Sequence, residues 1–305
     1  MTNETSLAPI ALFVYNRPWH TQQTIEALQK NELAEQSELF IFSDGAKNDS
    51  DSDMVEAVRA YIKTISGFKN IVITEKEKNC GLANSIIDGV TNTINKYGKI
   101  IVIEDDLVTS PLFLKFVNDA LDQYQDEKQV GMIHAHIYNI SNLPELFFTY
   151  KAGCIGWGTW ADRWEKVNFN GEQLLSEIVN NNLVKKFDVN YSYSYTKMLK
   201  DQIQGKNSSW AIRVYASFLL NNLLTFYPGQ SLVQHIGFDT GTHCKDATSA
   251  TDMDGFITDR IIVSKRIPIA ESLDAIKKIE YFYKSQKTPI YKRLLKKINI
   301  FLGIS

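Results

Sequence analysis

Cysteine is scarce in this chain. Cys80, Cys154 and Cys244 are the only three in 305 residues, far apart and odd in number. That spacing supports neither a disulfide framework nor a zinc site and points to a reducing compartment. No apolar run is long enough to cross a bilayer, and the polar stretch from Met1 to Pro9 has no signal-peptide core. A cytoplasmic protein is therefore expected. An excess of one charge is lacking too. The formal net charge of −2 gives no electrostatic case for nucleic acid as the main partner. No internal repeat or low-complexity tract interrupts the chain. What remains is an ordinary globular composition, 44% hydrophobic and 22% charged. The length suits one large α/β domain or two modest ones.

Against this ordinary background one stretch stands out, Lys99-Ile100-Ile101-Val102-Ile103-Glu104-Asp105-Asp106. Its apolar run reads as a strand buried on both faces. Three adjacent carboxylates at the end of such a strand repel one another and are costly to desolvate. A bound cation relieves that cost, and hard oxygen ligands suit Mg²⁺ or Mn²⁺. The alternative is a solvated acidic turn ahead of a helix starting near Ser110-Pro111.

The first half alternates strand and helix signals. Strands are expected at Ile10–Tyr15, Leu39–Phe42, Asn70–Thr74, the stretch before Glu104, and Val130–Ile133. Helices are expected from Pro18 to about Leu33, Asp51 to Ile65, Leu82 to Lys96 and Pro111 to Tyr124. This order implies right-handed crossovers and a mostly parallel, doubly wound sheet of the α/β class. Ligands of such sheets bind outside the carboxyl ends of the strands. Asn16-Arg17, Asp44-Gly45 and Glu104-Asp105-Asp106 all sit at such ends, so they can meet in one crevice.

The pattern changes after residue 137. Gly153 to Trp160 concentrates small residues and tryptophans. Trp157, Trp160 and Trp164 are either flat faces for sugar rings or core. Residues 172–207 look helical and polar, Trp210 to Leu223 reads as an amphipathic helix, and Leu224 to His235 reads as strand-turn-strand. The tail has no acid after Glu280 but has Lys284, Lys287, Lys292, Arg293, Lys296 and Lys297. With Tyr291, Leu294, Leu295, Ile298 and Leu302 on one face, it reads as a basic amphipathic helix. Such a helix lies on an anionic membrane surface or packs on its own domain, and the sequence leaves both open.

Val14-Tyr15-Asn16-Arg17-Pro18, Ser43-Asp44-Gly45, Asn79-Cys80-Gly81-Leu82, Glu104-Asp105-Asp106 and Gly156-Trp157-Gly158-Thr159-Trp160 occur in that order. Together they resemble the GT-A fold glycosyltransferases, above all bacterial family-2-type enzymes related to eukaryotic N-acetylglucosaminyltransferase I. The resemblance spans roughly residues 9 to 245. It implies a nucleotide-sugar-binding half (1–137), an acceptor-binding and catalytic half (138–270) and the basic tail (271–305). It also implies inverting transfer from a UDP-sugar, with Mn²⁺ or Mg²⁺, to a glycan or lipid-linked acceptor in surface polysaccharide synthesis. Tyr15, Asn16, Arg17 and Trp157 would then border the donor. Asp44 would accept from the uracil N–H, and Asn79, Gly81 and Leu82 would border base and ribose. Asp106 would bind the metal, Asp105 would face the ribose and Glu104 the donor sugar.

The related enzymes lead one to expect an Asp just before Trp210 as general base, but Ser208 and Ser209 stand there. A hydroxyl is far too weak a base to replace a carboxylate. Asp201 is the nearest acid, against the plainer reading of a solvated helix residue; Asp162 and Asp239 are weaker candidates. His235 and His243 could touch the diphosphate or metal, or serve as loop histidines. His134 and His136 alternate on a strand, so one faces inward. Two other classes compete. One is a nucleotide-sugar-binding protein that has lost its base. The other is a sugar nucleotidyltransferase, disfavoured because Asn16-Arg17-Pro18 lacks the glycine-rich phosphate loop.

Overall fold

The structure is a computed structural model that describes residues 6–237, 257–258 and 265–286. Asp239, His243, Cys244 and the tail beyond Gln286 lie outside the described residues. Strands and helices alternate as expected at first: β1 (Ile10–Val14), α1 (Pro18–Gln29), β2 (Glu38–Ser43), α2 (Asp49–Ile62), β3 (Asn70–Glu75), α3 (Leu82–Tyr97) and β4 (Lys99–Glu104). Then follow β5 (Leu107–Thr109), α4 (Phe113–Gln123), β6 (Val130–His134), β7 (Leu146–Thr149) and β8 (Trp157–Trp160). The remainder comprises α5 (Ala161–Trp164), α6 (Gly171–Asn180), α7 (Val184–Phe187), α8 (Tyr195–Ile203), α9 (Ala211–Leu220), β9 (Leu224–Pro228), β10 (Val233–His235) and α10 (Leu273–Ser285).

Eight strands form one sheet in the order β3-β2-β1-β4-β8-β6-β9-β7. β1 pairs in parallel with β2 and β4, β2 with β3, and β6 with β9. β8 lies antiparallel between β4 and β6, and β7 antiparallel on β9. Alternating residues of the inner strands bury opposite faces. Leu12, Ile41, Ile103 and Ile133 pack under α1, α2 and α4, whereas Ala11, Phe13, Val102 and Met132 pack under α3 and α9. Two covered faces explain why β1 is buried at all five positions and reads as one unbroken apolar run.

One open reading is decided and two local expectations change. The Gly-Trp segment is a strand, not a sugar-stacking surface. Gly158 lets β8 enter because a Cβ there would stand 2.9 Å from Val117 Cγ1 and 3.0 Å from the Ile100 carbonyl. Trp157 is fully buried, with Trp164 and Trp210 rings each 5.8 Å away. Residues 172–207 break into α6, α7 and α8. The break after α7 is a turn in which Val189, Asn190 and Tyr191 hold φ of 46°, 54° and 59°. α9 is buried nearly all round rather than amphipathic, because it runs between the sheet and the α6–α8 layer. In the described part of the tail, α10 docks through Ala275, Ile279 and Tyr283 beside Phe147 and Tyr227. That part is a packing helix.

Candidate functional site

β1 and β4 are parallel neighbours with Phe13 opposite Glu104, so the residues after each strand leave the sheet side by side. Asp105 turns back toward β1. One of its oxygens accepts from the Tyr15 N–H at 3.2 Å and the other from Arg17 Nη2 at 2.6 Å. The other arm of the same guanidinium reaches Asp106 Oδ2 at 2.9 Å. Tyr15 and Asn16 are held from the far side by Asp51 at the start of α2. The Tyr15 hydroxyl donates to Asp51 at 3.0 Å and the Asn16 amide at 2.9 Å.

A second small sheet completes the acid end. β10 runs antiparallel to β5 with His235 opposite Leu107, and the Ile236 N–H donates to the Asp106 carbonyl at 2.8 Å. His235 Nε2 thereby lies 3.2 Å from Asp106 Oδ2. Gly237 is required by this approach, since a Cβ there would sit 2.3 Å from Asp106 Oδ2 and 2.8 Å from Arg17 Nη1. The sequence leaves His235 open between ligand and loop histidine; the β5–β10 register is what places it on the acid.

Burial dominates the electrostatics. It pushes the Glu104 carboxyl up to about 8, helped by the Asp106 and Asp105 charges and opposed by Arg17. Asp105 rises to about 6, again through burial, with Arg17 opposing. Burial also disfavours the Asp106 carboxylate, but its His235 contact and Arg17 overcome that and hold it near about 2. Asp106 is thus the member of the triplet held most firmly as an anion, whereas Glu104 is the one that burial keeps protonated. Among the described residues no three metal-ligating side chains gather. One carboxylate and one imidazole at Asp106 and His235 nevertheless suit Mg²⁺ or Mn²⁺. Such ions are commonly held by one or two carboxylates plus substrate phosphates and water rather than by a closed protein cage.

Asp44 corrects an expectation. It ends β2, and its carboxylate accepts four protein donors. These are the Gly45 N–H at 3.0 Å, the Cys80 N–H at 2.9 Å, the Gly81 N–H at 2.9 Å and the Asn79 amide at 3.1 Å. A carboxylate has about four acceptor positions, so none is left for a base N–H. Asp44 builds the 79–81 loop instead of reading a ligand. Leu82, at the start of α3 beside this loop, is half exposed.

Trp157 also leaves the set, because its ring is sealed in the core. Asp201 sits on α8 in an ion pair with Lys197, and none of its described contacts involves the acid triplet. Ser208 is exposed. Ser209 serves the fold, since its hydroxyl accepts the Ile212 N–H at 3.3 Å and caps α9. Asp162 pairs with Lys128 and Arg163.

Beside β6 and β9 the structure also gathers Lys151, which the sequence did not single out, with His134 and Cys154, which it named without a role. The segment from Tyr150 to Gly156 crosses the sheet face between β7 and β8. The Ile155 N–H donates to His134 Nε2 at 3.1 Å, and the Tyr227 hydroxyl donates to the Lys151 carbonyl at 3.0 Å. Burial holds the His134 imidazole well below its usual range and the Cys154 thiol well above. A lysine just after the apolar Leu146–Thr149 strand was the available signal.

No protein-family model matches the chain, and no curated protein does. Solved structures to which the chain is similar include a mannosyltransferase from Pyrobaculum calidifontis in complex with GDP-Man and Mn²⁺. That match has 14% identity and a TM-score of 0.31, covering 44% of this chain and 39% of that one. Another is S. aureus TarS 1–349, at 10% identity and a TM-score of 0.40, covering 73% of this chain and 60% of that one. Both likenesses are partial, and neither fixes a substrate or a site residue for this chain.

Proposed function

We propose that this chain is a divalent-metal-dependent glycosyltransferase of the GT-A type, transferring a sugar from a UDP-sugar to a glycan or lipid-linked acceptor with inversion. The observation that supports it most is the convergence of Arg17, Asp105, Asp106 and His235 where β1, β4 and β10 end. An Asp106 carboxyl held well below its usual range at the end of a mostly parallel sheet is suited to a cation carrying a diphosphate. When bound, the metal supplies Lewis-acid neutralisation of the departing diphosphate. Asp106 and His235 would hold it. Arg17, beside Asp106, would add a second positive charge where negative charge develops on the diphosphate. Asp105, fixed by Tyr15 and Arg17, orients the β1 end. Glu104, which the resemblance assigns to the donor sugar, could donate a hydrogen bond to a sugar hydroxyl while it is protonated. The resemblance to N-acetylglucosaminyltransferase I, the UDP preference and a part in polysaccharide synthesis belong to this reading and rest on the motifs alone.

A second reading is a nucleotide-sugar-binding protein without turnover. The Asp201–Lys197 ion pair and the exposure of Ser208 favour it, because neither residue makes a described contact with the acids. Release of UDP from UDP-sugars in the presence of Mn²⁺ distinguishes the two. Turnover lost in Asp106→Ala is expected. Tight UDP binding without release of product, under any acceptor or in water, would select the second reading.

A further inference from the structure

We propose that Tyr191 and Tyr193, with Tyr138, form an aromatic platform that holds the acceptor as a glycan chain along the carboxyl edge of the sheet. This rests on the glycosyltransferase reading and names the chemistry of its acceptor.

Tyr191 is 60% exposed and Tyr193 39%. Among the described residues no other two exposed large hydrophobic side chains lie so close in sequence. The turn between α7 and α8 presents them, and its backbone is strained. Val189, Asn190 and Tyr191 all hold the left-handed conformation, which β-branched and bulky residues seldom adopt. The turn is nevertheless tightly held. The Ser192 N–H donates to the Val189 carbonyl at 3.1 Å and the Tyr193 N–H to the Asp188 carbonyl at 3.2 Å. The Asp188 carboxylate accepts the Thr196 N–H at 2.6 Å in the first turn of α8. Val189 is buried in the cluster that contains Ile279 and Tyr283 of α10, and the Asn190 amide donates to Glu280 of the same helix at 2.8 Å. Rings carried outward on so fixed a turn have little freedom left to lose when a ligand binds.

A series of contacts joins the rings to the acid end. Tyr283 lies between two of them, 5.0 Å from the Tyr193 ring and 6.0 Å from the Tyr138 ring. The Tyr138 ring is 5.4 Å from His136, and His136 is 6.1 Å from His134. These residues continue β6 past its carboxyl end. There the Ala135 N–H donates to the Gly156 carbonyl and the Leu232 N–H to the Ala135 carbonyl, each at 2.9 Å. Leu232 leads directly into β10, whose His235 stands 3.2 Å from Asp106 Oδ2. The path from Asp106 to Tyr193 therefore follows the edge of the sheet at which ligands of such folds bind.

The surface chemistry suits a glycan. Tyrosine offers a flat apolar face to sugar C–H groups and a hydroxyl to sugar hydroxyls. Asn139 and Ser194, both exposed, add neutral polar groups beside the rings. A lipid surface would call for exposed aliphatic side chains next to the rings. Those of the described residues, such as Val179 and Leu273, lie outside this turn.

The test titrates chitotetraose, cellotetraose, maltotetraose and α-mannotetraose calorimetrically into the full chain saturated with UDP and Mn²⁺. At least one tetrasaccharide is expected to bind. Its affinity should fall at least ~10-fold in Tyr191→Asn, which removes the ring and suits the left-handed backbone, and in Tyr193→Ala. Tyr191→Trp and Tyr193→Phe, which keep a ring, should retain most of it. UDP affinity and the urea midpoint of Tyr191→Asn should match the wild type. UDP binding without binding of any tetrasaccharide would overturn the platform and leave the parent reading standing. So would tetrasaccharide affinity that survives in both Tyr191→Asn and Tyr193→Ala. A wild-type dimer in sedimentation that Tyr191→Asn dissolves would assign the rings to a second copy of the chain and overturn the glycan. Tetrasaccharide binding without any UDP binding would overturn the glycosyltransferase reading and the acceptor role with it.

Discussion

Asp44 and Asp106 each follow an inner strand, and the protein uses them differently. Donors fixed in the backbone and in Asn79 surround both oxygens of Asp44. Side chains that a ligand can move surround Asp106. An Asn at 44 would set an NH2 against donors that need an acceptor. Asp44→Asn should therefore lower the unfolding free energy by about 1–3 kcal/mol without any ligand, the cost of unsatisfied buried groups. Urea denaturation measures it. Lost UDP affinity at an unchanged urea midpoint would return Asp44 to the role of base reader. Glu104 gives a pH prediction. Its folded pKa is about 8 against an ordinary 4.5, so the folded state keeps a proton that the unfolded chain has released. Stability then falls as pH rises through that window. Asp105 acts with the same sign up to about 6, while the opposite contribution of Asp106 is confined to strongly acidic pH. Relative to Glu104→Gln, the metal-free wild type should lose melting temperature between about pH 5 and about pH 8, a comparison that cancels the opposite contribution of the buried His134. A wild type that gains on Glu104→Gln over this interval would contradict the buried-triplet electrostatics.

Among elements, the start of α9 is the clearest case of local chemistry serving fold rather than catalysis. Ser209 occupies the cap and Ser208 is left to solvent. Ser209→Ala should cost about 1 kcal/mol in urea denaturation, and Ser208→Ala close to nothing. Equal effects would mean that the cap is not what this serine does. The same contrast shows how far the sequence could be read. β1 and β4 were legible because a strand covered on both faces must be apolar throughout, and the acids at their ends could only lie at the sheet's edge. β8 was not, because Trp157, Gly158, Thr159 and Trp160 carry neither period. Its strand state comes from long-range pairing with Val102 and His134. α9 looked amphipathic because Arg213 interrupts its apolar run, yet that guanidinium leans on the Phe169 ring at 5.3 Å and donates to the Phe169 carbonyl at 3.1 Å. The meeting of His235 with Asp106 depends on the β5–β10 register, which short strands of ordinary composition do not announce.

For the whole molecule, the sheet order carries the functional reading. The strands that supply the acids and Arg17 lie at its centre, and β8, β6 and β9 extend it on the side where Lys151, His134 and Tyr227 gather. α10 braces that side by packing on Phe147 and Tyr227, and Asn190 ties its Glu280 to the left-handed turn at 2.8 Å. The two halves of the described chain are in this way parts of one continuous sheet. Everything proposed for this sheet depends on Asp106 binding a divalent cation together with a nucleoside diphosphate. Calorimetric titration of UDP with Mn²⁺, and again with EDTA, into the wild type and Asp106→Ala decides it. Binding should need Mn²⁺ and fall at least ~100-fold in Asp106→Ala, with both apo proteins shown to be folded by urea denaturation. UDP affinity that is the same with Mn²⁺ and with EDTA, and the same in both proteins, would contradict that role.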